Sequence, residues 1–113
     1  MRAVVVHEFG PIDNLVLEEV AAPEPGPEEI LIDVHAIGLN FPDTLMIQGL
    51  YQTKPELPFV PGRDAIGVVT RAGDKVTRFK PGDRVASQAK WGGYAEQVAV
   101  PETRCFALPD GID

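Results

Sequence analysis

The hydrophobic positions of this chain fall in short runs separated by turn-forming residues, the pattern of many brief strands. Val4 to Val6, Leu15 to Val20 and Ile30 to Leu39 are rich in β-branched and aliphatic residues and are bounded by Gly, Pro, Asp or Asn, which predicts three strands. In the third, Ile30, Ile32, Val34 and Ala36 share one face, while Leu31, Asp33, His35 and Ile37 share the other. One face is therefore expected in the core and the other is mixed. Strand signals return at Ala65 to Arg71, Arg84 to Lys90 and Tyr94 to Val100. Ala72-Gly73-Asp74 and Pro81-Gly82-Asp83 lie between them as turns, the latter with Pro then Gly in the order of a type II turn.

The one helix signal spans Asn40 to Gln48. Asn40 suits an N-cap, Pro42 sits in the first turn where its missing N–H costs nothing, Asp43 complements the positive end of the dipole, and Gly49 suits the exit. Phe41 and Leu45 are expected to face inward, with Met46 as a further candidate. Before the third strand, Ala21 to Pro27 carries a proline at 23, 25 and 27, which forces an extended surface connector. Six or so short strands with one short helix near 40–49 predict a mainly β fold, a small, partly open barrel.

Composition agrees with this pattern. Eleven glycines and eleven prolines among 113 residues make frequent turns unavoidable and exclude a helical bundle, while 44% hydrophobic residues are enough for one core. The net charge of −7 is uneven: residues 1–50 hold nine acids against Arg2 alone, and residues 51–113 hold eight acids against nine bases. Such a chain is a poor binder of nucleic acid or anionic membranes. The lone cysteine, Cys105, cannot form an intrachain disulfide, so a reducing compartment, the cytoplasm, is expected. There is no signal-peptide core and no apolar run long enough to span a membrane.

The chemistry is first legible by what is missing. A dinucleotide fingerprint needs two glycines separated by one residue, and no two glycines here have that spacing. Gly62 and Gly67 bracket four residues as a P-loop would, but Val68 and Val69 follow where Lys and Ser or Thr are needed. His7, His35 and Cys105 are too scattered for a zinc site. Cys105 reads as a packed thiol, and Trp91, the sole tryptophan, lines either a cleft or the core. What remains is a polar cluster around the helix and the turn after the proline loop: Asn40, Asp43, Tyr51, Arg63 and Asp64.

Five segments run through that region: Gly38-Leu-Asn-Phe-Pro-Asp-Thr-Leu, Gly49-Leu-Tyr, Pro58-Phe-Val-Pro-Gly-Arg-Asp-Ala-Ile-Gly-Val-Val, Phe79-Lys-Pro-Gly-Asp-Arg-Val and Gly92-Gly-Tyr-Ala-Glu. In order and spacing they resemble the N-terminal, GroES-like catalytic domain of medium-chain dehydrogenase/reductases, in the zinc-independent quinone oxidoreductase branch related to zeta-crystallin. The resemblance runs across essentially the whole chain. Zinc-dependent members carry a cysteine ligand where this chain has Asn40, a relay hydroxyl at Pro42 and a histidine ligand at Arg63. An amide and a guanidinium cannot replace a thiolate and an imidazole around zinc. The lobe that holds a structural zinc is absent too, since only Ala86 to Trp91 separates Val85 from Gly92.

The resemblance implies hydride transfer from NADPH to a quinone or activated C=C, with the cofactor held mainly by a Rossmann domain outside residues 1–113. It implies catalytic roles for Asn40, Tyr51 and Arg63, and cofactor contacts at Asn40, Asp43 and Tyr51. An amide and a phenol can polarise a carbonyl or pass a proton. Arg63 equally suits an ion pair to Asp43, and Asp64 a structural hydrogen bond. The implied partners are a quinone or enone substrate and a second copy in a homodimer. The expected chain is then a piece of a longer enzyme, inactive alone. An enoyl-thioester or enone reductase of the same superfamily is the near alternative. A GroES-type co-chaperonin barrel is the distant one, because the Asn-capped helix stands where a mobile glycine-rich loop would be needed.

Overall fold

A computed structural model describes residues 1–11, 15–38, 41–50 and 55–108, with the backbone alone for residues 41 and 42. Seven strands and one α-helix are described: β1 (Arg2–Val5), β2 (Val16–Glu19), β3 (Glu29–Gly38), α1 (Phe41–Gln48), β4 (Asp64–Ala72), β5 (Arg84–Gln88), β6 (Gln97–Pro101) and, after a 3-10 turn at Glu102–Arg104, β7 (Cys105–Ala107). β1 and β2 form an antiparallel pair, and the other five make an antiparallel sheet in the order β6-β3-β4-β5-β7. Isolated bridges tie the first strand region to the connecting segments, from Ala3 to Ala95 just before β6 and from Val6 to Phe59 ahead of β4. Among the described residues the two sheets stay open, in keeping with a mainly β, incompletely closed barrel.

The core follows the alternation of the strands. Ile30 and Ile32 of β3, Val69 of β4, Val85 of β5 and Val100 of β6 are each at most 1% exposed and pack in one cluster with Cys105. Burying five such branched side chains is worth about 1.5–3 kcal/mol apiece before the entropy of ordering them. The β3 alternation is less regular than the sequence suggests. Register shifts against β4 fall between Leu31 and Ile32 and between Val34 and Ala36. In consequence Leu31 is also buried, Val34 is half-buried and Ala36 is exposed. A bulge adds a residue to one strand and turns the following side chains off the expected face.

Local signals set the turns and the helix end. Gly82 has φ +95, and Asp83 N–H donates to Lys80 C=O at 3.1 Å, closing the expected Pro81-Gly82 turn. Asp83 also accepts from the Lys80 backbone N–H at 3.0 Å and from Lys80 Nζ at 2.8 Å. That hydrogen bonding to Lys80 holds the Asp83 carboxyl below its ordinary 3.8. At the end of α1, Leu50 N–H reaches Leu45 C=O at 2.8 Å and Gly49 N–H reaches Met46 C=O at 3.1 Å, with Gly49 at φ +76. These two bonds form a Schellman cap, which needs a left-handed residue where Gly49 stands. α1 buries Met46 and Ile47 against Val6 and Phe59, and leaves Leu45 only partly covered. The expected inward Phe41 side chain lies outside the described residues, as does Asn40, the expected cap.

Candidate functional site

The site is assembled by α1, the 61–63 turn and the segment leading into β6. Asp43 lies in the first turn of α1, on the same face as Met46 and Ile47, because residues three and four apart share a helix face. Its side chain is 0% exposed. Tyr94 donates its hydroxyl to Asp43 Oδ2 at 3.2 Å, across 51 residues of sequence. A buried carboxylate is tolerable only where hydrogen bonds or charges meet it, and the phenol supplies one such bond. Asp43 is thus a buried acceptor in the first turn of α1.

Tyr94 is held from several sides. Its N–H donates to Pro61 C=O at 2.9 Å, its C=O accepts from Val4 N–H at 2.8 Å, and Gly93 N–H donates to Gly62 C=O at 3.0 Å. Gly62 has φ +107, and a Cβ added there would overlap Cδ1 of the Tyr94 ring. Only glycine permits both the backbone conformation and the close approach. Burial, then the charge of Asp43 and the hydrogen bond to it, push the Tyr94 phenol from 10.0 up to about 12. Tyr94 is thus a proton holder at any ordinary pH.

Of the other residues expected in the site, Arg63 is half-buried on the turn that enters β4, and its C=O accepts from Ala89 N–H at 2.8 Å. Asp64 is half-buried and begins β4, paired with Gln88 of β5. Asn40 and Tyr51 lie outside the described residues. The structure therefore brings Asp43 together with Tyr94 and sets Arg63 one residue from the Gly62 that Tyr94 packs on. Tyr94 itself escapes a reading of the sequence as a site residue. The signal was present in Gly92-Gly-Tyr-Ala-Glu, two small residues ahead of a tyrosine, but nothing local names its partner.

Two adjoining concavities open elsewhere on the surface. One of about 400 Å³ lies between β1, β2 and residues 97–99, and a second of about 700 Å³ runs along Pro55–Val60. Pro58, Phe59, Val60 and Trp91 line both. Trp91, 37% exposed, therefore lines a cleft and is not a core residue. Neither Asp43 nor Arg63 lines either of these two concavities.

Three of the remaining titratable candidates, His7, Asp33 and Cys105, have structural partners. His7 Nε2 lies 2.9 and 3.0 Å from the two Glu18 carboxylate oxygens, on the surface. Asp33 accepts from Gln97 Nε2 at 2.8 Å across the β3–β6 pair, and His35 is exposed. Cys105 Sγ donates to Pro101 C=O at 3.5 Å. Burial, the largest effect, pushes its thiol from 9.0 up to about 11, against the lowering influence of Arg78. Cys105 is a packed thiol with little thiolate at neutral pH. Among the described residues no group of three His, Cys, Asp or Glu side chains is arranged to hold a metal ion.

Comparison with known proteins places this geometry. The profile of the alcohol dehydrogenase GroES-like domain matches residues 26–110. Human quinone oxidoreductase is 43% identical over 115 aligned residues, which cover 100% of this chain and 35% of that protein. Human synaptic vesicle membrane protein VAT-1 homolog is 38% identical over 114 residues, covering 99% of this chain and 29% of its own. The structure of Escherichia coli quinone oxidoreductase complexed with NADPH superimposes with a TM-score of 0.95 at 32% identity, over 100% of this chain and 35% of that one. The chain spans about a third of the length of these relatives. Matched by that profile over most of its residues, and by quinone oxidoreductases from end to end, the chain belongs to the alcohol dehydrogenase GroES-like domain family.

Proposed function

We propose that this chain is the N-terminal catalytic domain of a zinc-independent, NADPH-dependent quinone oxidoreductase that reduces a quinone or an activated C=C. The observation that carries this reading is the end-to-end similarity to quinone oxidoreductases, one of them complexed with NADPH. Residue chemistry supports it. Where zinc-dependent relatives place a histidine ligand, Arg63 brings a guanidinium, which suits an anionic cofactor or a developing oxyanion and does not suit a metal cation.

NADPH, when bound, supplies the hydride, and a second domain holds most of it. The part left to this chain is to receive the substrate and meet the charge that develops on its oxygen. Asn40 donates an amide N–H, Tyr51 donates a phenol O–H, and Arg63 adds positive charge. Asp43 contributes from behind, as a buried acceptor on α1. The proposal extends to a homodimer in the cytoplasm, for which the single buried Cys105 is suited. No described helix is long and apolar enough to cross a membrane.

The roles of Asn40 and Tyr51 are tested by Asn40→Ala and Tyr51→Phe in the full-length protein. Each is expected to lower kcat/KM by about 10- to 100-fold, the range for a lost transition-state donor or proton-transfer group, with unchanged circular dichroism. Wild-type rates in both variants would refute the assignment.

A further inference from the structure

Tyr94 connects two segments that each carry a residue of the proposed chemistry. On one side it packs on Gly62, whose neighbour in sequence is Arg63. On the other it donates to Asp43, three residues after Asn40 and in the first turn of α1. The ring position is over-determined: the Tyr94 backbone is bonded to Pro61 and Val4, and the absent Cβ of Gly62 leaves the space that the ring fills. The hydroxyl is the group that carries this fixed position across to the helix. Nothing in the packing of the ring requires it, since a phenylalanine would fill the same space.

We propose that Tyr94 is a positioning residue for the reaction, its O–H bond to buried Asp43 holding the start of α1 in fixed register with the Arg63 turn. What is positioned rests on the quinone oxidoreductase reading above; that the bond anchors α1 does not. The high phenol pKa fits this role, because Tyr94 stays protonated, and so a donor, throughout the neutral range. Removing the hydroxyl leaves a buried carboxylate short of a donor, which loosens the helix start locally while the strands keep their own ladders.

The test uses Tyr94→Phe in the full-length protein, with two readouts. For NADPH-dependent quinone reduction, kcat is expected to fall about 10-fold, the equivalent of one hydrogen bond to a charged group, with KM within about 2-fold. The shape of the pH profile of kcat stays unchanged, which distinguishes positioning from acid–base work. Hydrogen exchange of the 41–50 peptide is expected to rise about 10-fold, with β3 and β4 unchanged. Asp43→Ala combined with Tyr94→Phe should be no slower than the slower single variant, because each deletes one partner of the same bond.

Wild-type kcat in Tyr94→Phe overturns the proposal, as does unchanged exchange over 41–50 or a rise spread evenly over all strands. If the wild-type protein reduces no quinone, the function proposed above fails. The anchoring of α1 is then decided by the exchange measurement alone.

Discussion

Gly62 and Gly82 share a backbone conformation and differ in surroundings, so an alanine at each separates two costs. Their φ values are +107 and +95. An added Cβ at Gly82 meets nothing within 4 Å, whereas at Gly62 it would overlap the Tyr94 ring and lie 2.8 Å from the Tyr94 backbone nitrogen. Gly82→Ala therefore carries only the left-handed backbone penalty, about 1–2 kcal/mol. Gly62→Ala adds overpacking against a segment held by its own hydrogen bonds, about 1–3 kcal/mol, for about 2–5 kcal/mol in all. Against a typical domain stability of about 5–15 kcal/mol, that is a large fraction. The assay is urea unfolding followed by fluorescence of Trp91, the sole tryptophan, and by far-UV circular dichroism, with linear extrapolation to water. Gly62→Ala is expected to lose at least about 1 kcal/mol more than Gly82→Ala. Equal losses would show that Tyr94 is not seated on Gly62, and the site geometry built on that contact would be wrong.

Three further outcomes follow from the same structure. Glu102, 9% exposed, accepts the Arg78 backbone N–H at 3.1 Å and that of Thr77 at 3.4 Å. Glu102→Ala is expected to cost about 1–3 kcal/mol and Glu102→Gln clearly less, and equal urea midpoints for the two would contradict this. Cys105, with its thiol pushed up to about 11, should resist a disulfide reagent in the native protein near pH 8 and react once unfolded; native labelling at the unfolded rate would refute its burial. In a phenol absorbance titration Tyr94 should ionise near 12. Asp43→Asn should bring that midpoint part of the way back to 10, since burial, the larger cause, remains. Because the folded value is raised, the stability contributed by the protonated phenol is complete below pH 10 and is lost as pH rises through 12.

The parts of the fold that were legible in the sequence are those set by neighbouring residues. Pro81-Gly82 and Gly49 announce their turns because their backbone requirements are local, and the helix before Gly49 ends at Gln48 as expected. The β3 bulges, by contrast, exist only in the pairing with β4, so alternation alone placed Ala36 on the buried face. β7 was missed because Cys105–Ala107 has three residues and is defined by its ladder to β5. Asp43 was legible as a helix-start acid, but its burial was not: the phenol that makes burial tolerable comes from 51 residues away. Trp91 could have been core or cleft, and only the fold decides between them.

The most direct measurement is NADPH oxidation by the purified full-length protein with a quinone, an enone and an enoyl thioester offered separately as acceptors. The domain assignment and the residue chemistry together lead to NADPH consumption with the quinone, undiminished by a zinc chelator. Turnover that requires zinc, or none with the quinone while another acceptor is reduced, would contradict the proposed function.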